Sequence, residues 1–270
     1  MDKTKAIVQC PAKINLDLKI INKRPDGFHN IESTMQTINL FDYLTIEISP
    51  ANTTQIQLSG NNNEIPYNEK NIVYKATNLF LNTINKTADV KIYIEKNIPV
   101  SAGLAGGSTN AAGTLLGLNH LFNNILDNNQ LHKLCATLGS DLNFCLEGGC
   151  KKTFSRGEIL ENGNFIEQNI SLIKPIHLGI SAKEAYTKFA DKPKTLERDN
   201  FINDLEWAII DDYKELQFIK KHYPQAIMTG SGSTYFAYDT KFAQHEGYWV
   251  KNDLKTINYG AKIISSDFCE

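Results

Sequence analysis

Residues 99–119, PVSAGLAGGSTNAAGTLLGLN, run from a glycine-punctuated loop straight into a helical pattern. Gly103, Gly106 and Gly107 interrupt a run of small residues, Ser108 and Thr109 follow, and Ala111, Ala112, Leu115, Leu116 and Leu118 then fall at helical spacing. Glycine lets a backbone take positive φ and lets a ligand approach closely. The free N–H groups and positive dipole end of a helix start attract anions. For an isolated GxxGG, a simple strand-to-helix turn is the better reading. Here the preceding strand pattern VKIYIEK, the small residues and the hydroxyl pair at the helix start favour a phosphate cradle. It is not the GxxxxGK[ST] loop, since Gly107 stands where that motif needs Lys, and it is not GxGxxG.

The 270 residues include 28 basic and 30 acidic side chains and are 41% hydrophobic, enough for a real core in one large or two ordinary domains. The balance of charge leaves no electrostatic footprint for nucleic acid or an anionic membrane, so any anion is bound locally. Five cysteines without CxxC spacing argue for reduced thiols, against a disulfide framework or structural zinc. MDKTKAIVQC has no apolar signal core and no run reaches membrane-spanning length, which gives a cytoplasmic expectation. The expected partner is a small molecule, with the chain a monomer or homodimer.

Ala6 to Cys10 reads as a first strand that Pro11 breaks. Ile14, Leu16, Leu18 and Ile20 then alternate with Lys13, Asn15, Asp17 and Lys19, a second strand with its polar residues on one face. Pro25, Asp26 and Gly27 signal a hairpin turn that presents Phe28 and His29 at its exit. Strand patterns continue in YLTIEIS and TQIQLS, and an amphipathic helix follows over residues 69–84, with Asn71 placed as a cap. A short helix at Leu131, Leu134, Cys135 and Leu138 leads to LGSDLNFCLEGG, where Asp141 is either a helix cap or a functional carboxylate. A composition change at Gly148 and Gly149 divides the chain into 1–150 and 151–270. The second part holds a strand PIHLGIS, a helix KEAYTKFAD, a longer helix within NDLEWAIIDDYKELQFIKKHYP, and AIMTGSGSTYFAYD, whose Gly230 and Gly232 lie between two apolar strands. A helix over 241–250 and a strand AKIISS close it.

The glycine loop resembles the central motif of the galactokinase, homoserine kinase, mevalonate kinase and phosphomevalonate kinase (GHMP) superfamily, in which it wraps the ATP phosphates. Within that superfamily, PAKINL at 11–16, DGFH at 26–29 and AGLAGGSTNAA at 102–112 resemble the 4-diphosphocytidyl-2-C-methyl-D-erythritol kinases. Those carry PAKINL, DG[YF]H and AGLAGGSS[DN]AA. LGSDLNF, RGE and TGSGS are similar to the LG[AS]DVPF, GxGE and final glycine motifs. Phe28 stands for the usual Tyr, Thr109 for Ser, Gly113 for Ala, and Leu142 with Asn143 for Val-Pro.

The resemblance implies a two-domain α+β fold. Its N-terminal domain would resemble domain 2 of ribosomal protein S5, with a left-handed βαβ unit, and its C-terminal domain would be ferredoxin-like. It implies an ATP-dependent kinase using Mg²⁺ to phosphorylate the 2-hydroxyl of 4-diphosphocytidyl-2-C-methyl-D-erythritol. The site residues carried over are Lys13 and Asp141 for catalysis. For ATP they are Pro99, Val100, Ser101, Ala102, Gly103, Leu104, Ala105, Gly106, Gly107, Ser108 and Thr109, with Asn71 near the adenine. Phe28 would stack on the cytosine and His29 bond its polar edge, with Asn15, Gly230 and Gly232 also facing the acceptor. Ser108 and Thr109 offer hydroxyls to phosphate or Mg²⁺, and no metal ligand is assigned.

Overall fold

The computed structural model describes residues 3–193, 198 and 200–268. Two long strands, β1 (Lys3–Asn15) and β3 (His29–Pro50), run antiparallel at the centre of the larger sheet. Its order continues to β12 (Lys262–Phe268) on one side and to β5 (Ala88–Glu95) and β4 (Gln55–Gly60) on the other. β2 (Lys19–Lys23), β6 (Cys150–Ser155) and, through β6, β7 (Ile159–Asn162) extend the first half of β3. In β5 the alternation of ADVKIYIE sends Ala88, Val90, Ile92 and Ile94 inward. That apolar face is covered by α1 (Ile72–Thr83), α2 (Gly106–Leu121), α3 (Asn128–Leu138) and α4 (Leu142–Glu147).

A four-stranded antiparallel sheet, β11 (Tyr248–Lys255), β8 (Asn169–Pro175), β10 (Tyr235–Tyr238) and β9 (Ile227–Met228), forms the second layer. It packs on α5 (Ala182–Asp191), α6 (Asp204–Ile209) and α7 (Lys214–His222) through Ile173, Phe189, Trp207, Leu216 and Tyr235. A third apolar cluster, including Ala12, Ile14, Ile38, Leu104, Leu172 and Phe236, closes the seam between the sheets. This seam fixes β1, the glycine loop and the second sheet against one another.

Several local expectations are corrected. Pro11 does not end the first strand: β1 continues to Asn15, with a register shift between Pro11, paired with Phe41, and Ala12, paired with Ile38. A bulge tolerates the donor that proline lacks. The second expected strand is instead split at Asp17, whose carboxylate accepts from Thr34 N (2.6 Å) and Thr34 Oγ1 (2.9 Å). The helix expected over 241–250 is absent. Gly247 turns the chain at φ 81°, and Tyr248, Trp249 and Val250 pair with β8. The long helix of 204–222 is two, separated by a 3₁₀ turn at Ile210–Asp212. The larger sheet draws strands from both halves of the sequence. Gly148 and Gly149, both at positive φ, turn the chain so that β6 returns along β3, and β12 pairs with β1.

Helix α2 approaches the sheet closely because two positions lack side chains. A Cβ at Gly113 would stand 2.4 Å from Cys10 Sγ, and one at Gly117 2.6 Å from Ile46 Cδ1. Gly113→Ala gains about 0.5–1 kcal/mol of helix propensity, against about 1–3 kcal/mol for overpacking. Urea titration is therefore expected to show a net loss for Gly113→Ala and a partial recovery when Cys10→Ala is combined with it. Strictly additive effects would contradict the contact.

Candidate active site

Lys13 lies on β1 beyond the Pro11 bulge and is 4% exposed. Its ammonium donates to Asn15 Oδ1 (2.5 Å) and to the Gly103 carbonyl (3.1 Å), and lies 3.7 Å from Asp141 Oδ2. An ammonium so withdrawn from water needs such acceptors. Asn15 is fixed in turn: its N–H donates to Thr229 Oγ1 (2.8 Å) and its amide to Ser33 Oγ (2.8 Å).

The two glycine loops meet at Lys13. A Cβ on Gly103 would stand 2.2 Å from the Thr229 carbonyl, and one on Gly230 2.8 Å from the Gly103 carbonyl and 3.2 Å from Lys13 Nζ. Both glycines have positive φ, so close approach and backbone conformation demand glycine together. Asn203, fully buried at the start of α6, donates to the carbonyls of Met228 (2.8 Å) and Gly230 (2.9 Å) and holds the second loop in place. Along the first loop, Ala105 takes a left-handed conformation (φ 56°) and α2 begins at Gly106. Beneath Gly106 lies the Lys96 ammonium, paired with the buried Asp42 carboxylate. At Gly107 an added Cβ would meet only Ile72 Cγ2 at 3.8 Å, so the first turn of α2 faces open space.

Asp141 precedes α4 but its side chain makes no cap hydrogen bond. The carboxylate, 29% exposed, turns to Lys13. Asn143 ties α4 to the turn after β6 by donating to the Glu158 carbonyl (3.1 Å), while Leu142 fills the core. Burial would raise the Glu158 carboxyl, but the backbone N–H groups of Glu158 and Arg156 and the Ser155 hydroxyl hold it below its ordinary value.

Lys13, Asn15, Gly103, Gly107, Asp141 and Gly230 line one cavity of about 1110 Å³, reaching from Asn71 and the glycine loop to the hairpin tip. Phe28 is 49% exposed there, with the Arg156 guanidinium 4.9 Å from its ring centre. His29 stacks on Tyr186 of α5 (centroids 4.9 Å apart, planes 13°), and burial together with the Asp141 charge pushes the Tyr186 phenol up. Asn71 caps α1, accepting from Val73 N (2.9 Å), and donates to the Pro66 carbonyl (2.6 Å) while facing the cavity.

Of the residues expected at the site, Leu104, Thr109 and Gly232 do not line this cavity. Leu104 belongs to the seam, the Thr109 hydroxyl is buried beneath the first turn of α2, and Gly232 packs toward Met228. Lys96, Arg156, Ser181, Tyr186 and Ser231 line it without having been singled out. Tyr186 sits in the helix KEAYTKFAD, where no motif marks it, and RGE was visible only as a turn. Cys10, Cys135 and Cys145 are buried, and desolvation pushes their thiols up, which disfavours the thiolate.

A cleft with an anion-cradling helix start on one side and an aromatic hairpin on the other suits transfer of a phosphoryl group between two small molecules. The family model "GHMP kinases N terminal domain" matches residues 71–149, and the fold and site define an ATP-dependent small-molecule kinase of that class. The chain is 38% identical over 257 residues to 4-diphosphocytidyl-2-C-methyl-D-erythritol kinase of Prochlorococcus marinus (strain MIT 9301), covering 94% of this chain and 75% of that one. The same enzyme of Clostridium tetani (strain Massachusetts / E88) is 38% identical over 255 residues, covering 86% and 90%. A crystal structure of 4-(cytidine 5'-diphospho)-2C-methyl-D-erythritol kinase superposes with TM-score 0.70 at 24% identity, over 93% of this chain and 99% of that one. The chain belongs to the 4-diphosphocytidyl-2-C-methyl-D-erythritol kinase family. No helix among the described residues is long and apolar enough to cross a membrane.

The Asp141 carboxylate caps nothing, and its one charged contact among the described residues is the 3.7 Å approach to Lys13, so Asp141→Asn is expected to lower phosphoryl transfer by about 10²- to 10⁴-fold with only a modest fall in melting temperature. An early melt with retained turnover would assign Asp141 to the fold instead.

Proposed function

We propose that this kinase transfers the γ-phosphate of ATP to the 2-hydroxyl of 4-diphosphocytidyl-2-C-methyl-D-erythritol, the acceptor named by its relatives. The observation that carries the reading is the Lys13 to Asp141 contact at 3.7 Å, set between the glycine loop and the DGFH hairpin in one cavity. Phosphoryl transfer leaves a protein little covalent work, so positioning and charge stabilisation supply most of the acceleration.

In this reading residues 99–108 and the first turn of α2 hold the triphosphate against Gly107, with Asn71 toward the adenine. Asp141 orients the acceptor hydroxyl and takes its proton as the new P–O bond forms. Lys13 offsets the charge that develops on the transferred group. Asn15 and Gly230 keep Lys13 aimed at the cleft. Mg²⁺ takes oxygen ligands, one or two carboxylates with substrate phosphates and water. The Asp141 carboxylate and Ser108 hydroxyl, both facing the cavity, are of that kind and would hold the ion that shields the ATP phosphates. At the other end Phe28 stacks on the cytosine and His29, braced by Tyr186, meets its polar edge.

With MgATP, ADP release is expected to be far faster with the cytidyl acceptor than with mevalonate or homoserine, and preference for mevalonate would sink the proposal. Phe28→Ala and His29→Ala are expected to raise KM for the cytidyl acceptor, by about the 1–3 kcal/mol of a base stack for Phe28, with KM for ATP unchanged. His29→Ala should also narrow the preference over a uridyl analogue. If both residues only pack the hairpin, both KM values and the melting temperature would suffer alike.

A further inference from the structure

Arg156 stands in the RGE turn, between the two ends of the cavity's acceptor half. Its guanidinium lies 4.9 Å from the centre of the Phe28 ring. One residue on, a Cβ at Gly157 would be 3.6 Å from the Ser140 carbonyl and 3.8 Å from Asp141 Oδ1, so the turn is packed on the catalytic loop. The turn is rigidly held. Glu158 accepts from Arg156 N (2.7 Å) and Ser155 Oγ (3.1 Å), Gly157 donates to the Phe154 carbonyl (2.9 Å), and Asn143 ties the Glu158 carbonyl to α4. Gly157, at φ 114°, makes this course possible.

The side chain itself is only loosely engaged. Arg156 Nε lies 3.5 Å from Glu158 Oε1, and among the described residues neither terminal nitrogen of the guanidinium meets a hydrogen-bond acceptor. A planar fork of donors, left open along a cavity wall, is matched to a phosphate or carboxylate.

We propose that Arg156 binds the diphosphate of the acceptor, a pyrophosphate bridge between a pyrimidine nucleoside and a polyol. The assignment rests on the proposed function and on a geometric constraint. With the base at Phe28 and the reacting hydroxyl at Asp141, the bridge lies within reach of Arg156, the residue of the 155–158 turn that lines the cavity. Arg156 sets the distance from base to hydroxyl: it fixes the middle of the acceptor while Phe28 and Asp141 fix its ends. It also favours nucleoside diphosphate acceptors over neutral polyols.

The test compares cytidine, CMP and CDP as ligands by calorimetry on wild type, Arg156→Met and Arg156→Lys, with acceptor and ATP kinetics on the same proteins. Charge-assisted hydrogen bonds contribute about 1.5–3 kcal/mol each. Arg156→Met is therefore expected to weaken CDP by about tenfold or more, by the conversion of 1.4 kcal/mol per tenfold, with cytidine changed less than twofold and KM for ATP unchanged. Arg156→Lys should fall between, since it keeps the charge and loses the fork. Equal weakening of cytidine and CDP would overturn the proposal and make Arg156 a prop for the Phe28 ring. Unchanged CDP binding, in an enzyme that still turns over the cytidyl acceptor, would overturn this assignment alone. A wild type that binds none of the three cytidine ligands would overturn it together with the proposed function.

Discussion

Four separate stretches of chain converge on one buried ammonium, that of Lys13. Asn15 comes from the same strand, Gly103 from the first glycine loop, Asp141 from the start of α4, and Gly230 from the loop between β9 and β10. Removing this charge from water is expensive unless acceptors surround it. The acceptors are available only when both sheets and both glycine loops are in register. Folding and site assembly are therefore the same event: the seam of Ala12, Ile14, Leu104, Leu172 and Phe236 that joins the layers also sets the distance from Lys13 to its partners.

The hairpin end of the cavity is anchored by a second buried charge. Asp204, with no exposed surface, accepts from Ile20 N (2.7 Å) and lies within 3.4 Å of Lys19 and 3.3 Å of Arg198. Backbone bonds between Leu18 and residues 202 and 204 complete the attachment. The hairpin carrying Phe28 and His29 is thereby fastened to the start of α6, next to the Asn203 that holds the Gly230 loop. The hairpin tip and Lys13 are thus referenced to one rigid corner of the second layer.

Where a signal was local, the sequence was readable. The glycine loop opens α2, Asn71 caps α1, and the Pro-Asp-Gly turn delivers Phe28 and His29 to the cavity. Signals that depend on tertiary context misled. Pro11 reads as a breaker because the bulge that accommodates it depends on the partner strand β3. Residues 241–250 read as helix because the pairing of Trp249 and Val250 with β8 is non-local. Thr109 reads as a phosphate ligand beside Ser108, yet one step along a helix turns a side chain by about 100°, and that step buries it. Arg156, Tyr186 and Lys96 reach the cavity from three unconnected elements, an arrangement no spacing rule encodes.

In the proposed mechanism Lys13 and Asp141 act as one unit on the transferring phosphoryl group. A double-mutant cycle on kcat with Lys13→Met, Asp141→Asn and the combination tests it directly, since residues that act together are grossly non-additive. The double variant is expected to be scarcely slower than the slower single variant. Losses that multiply would show two independent contributions and contradict it.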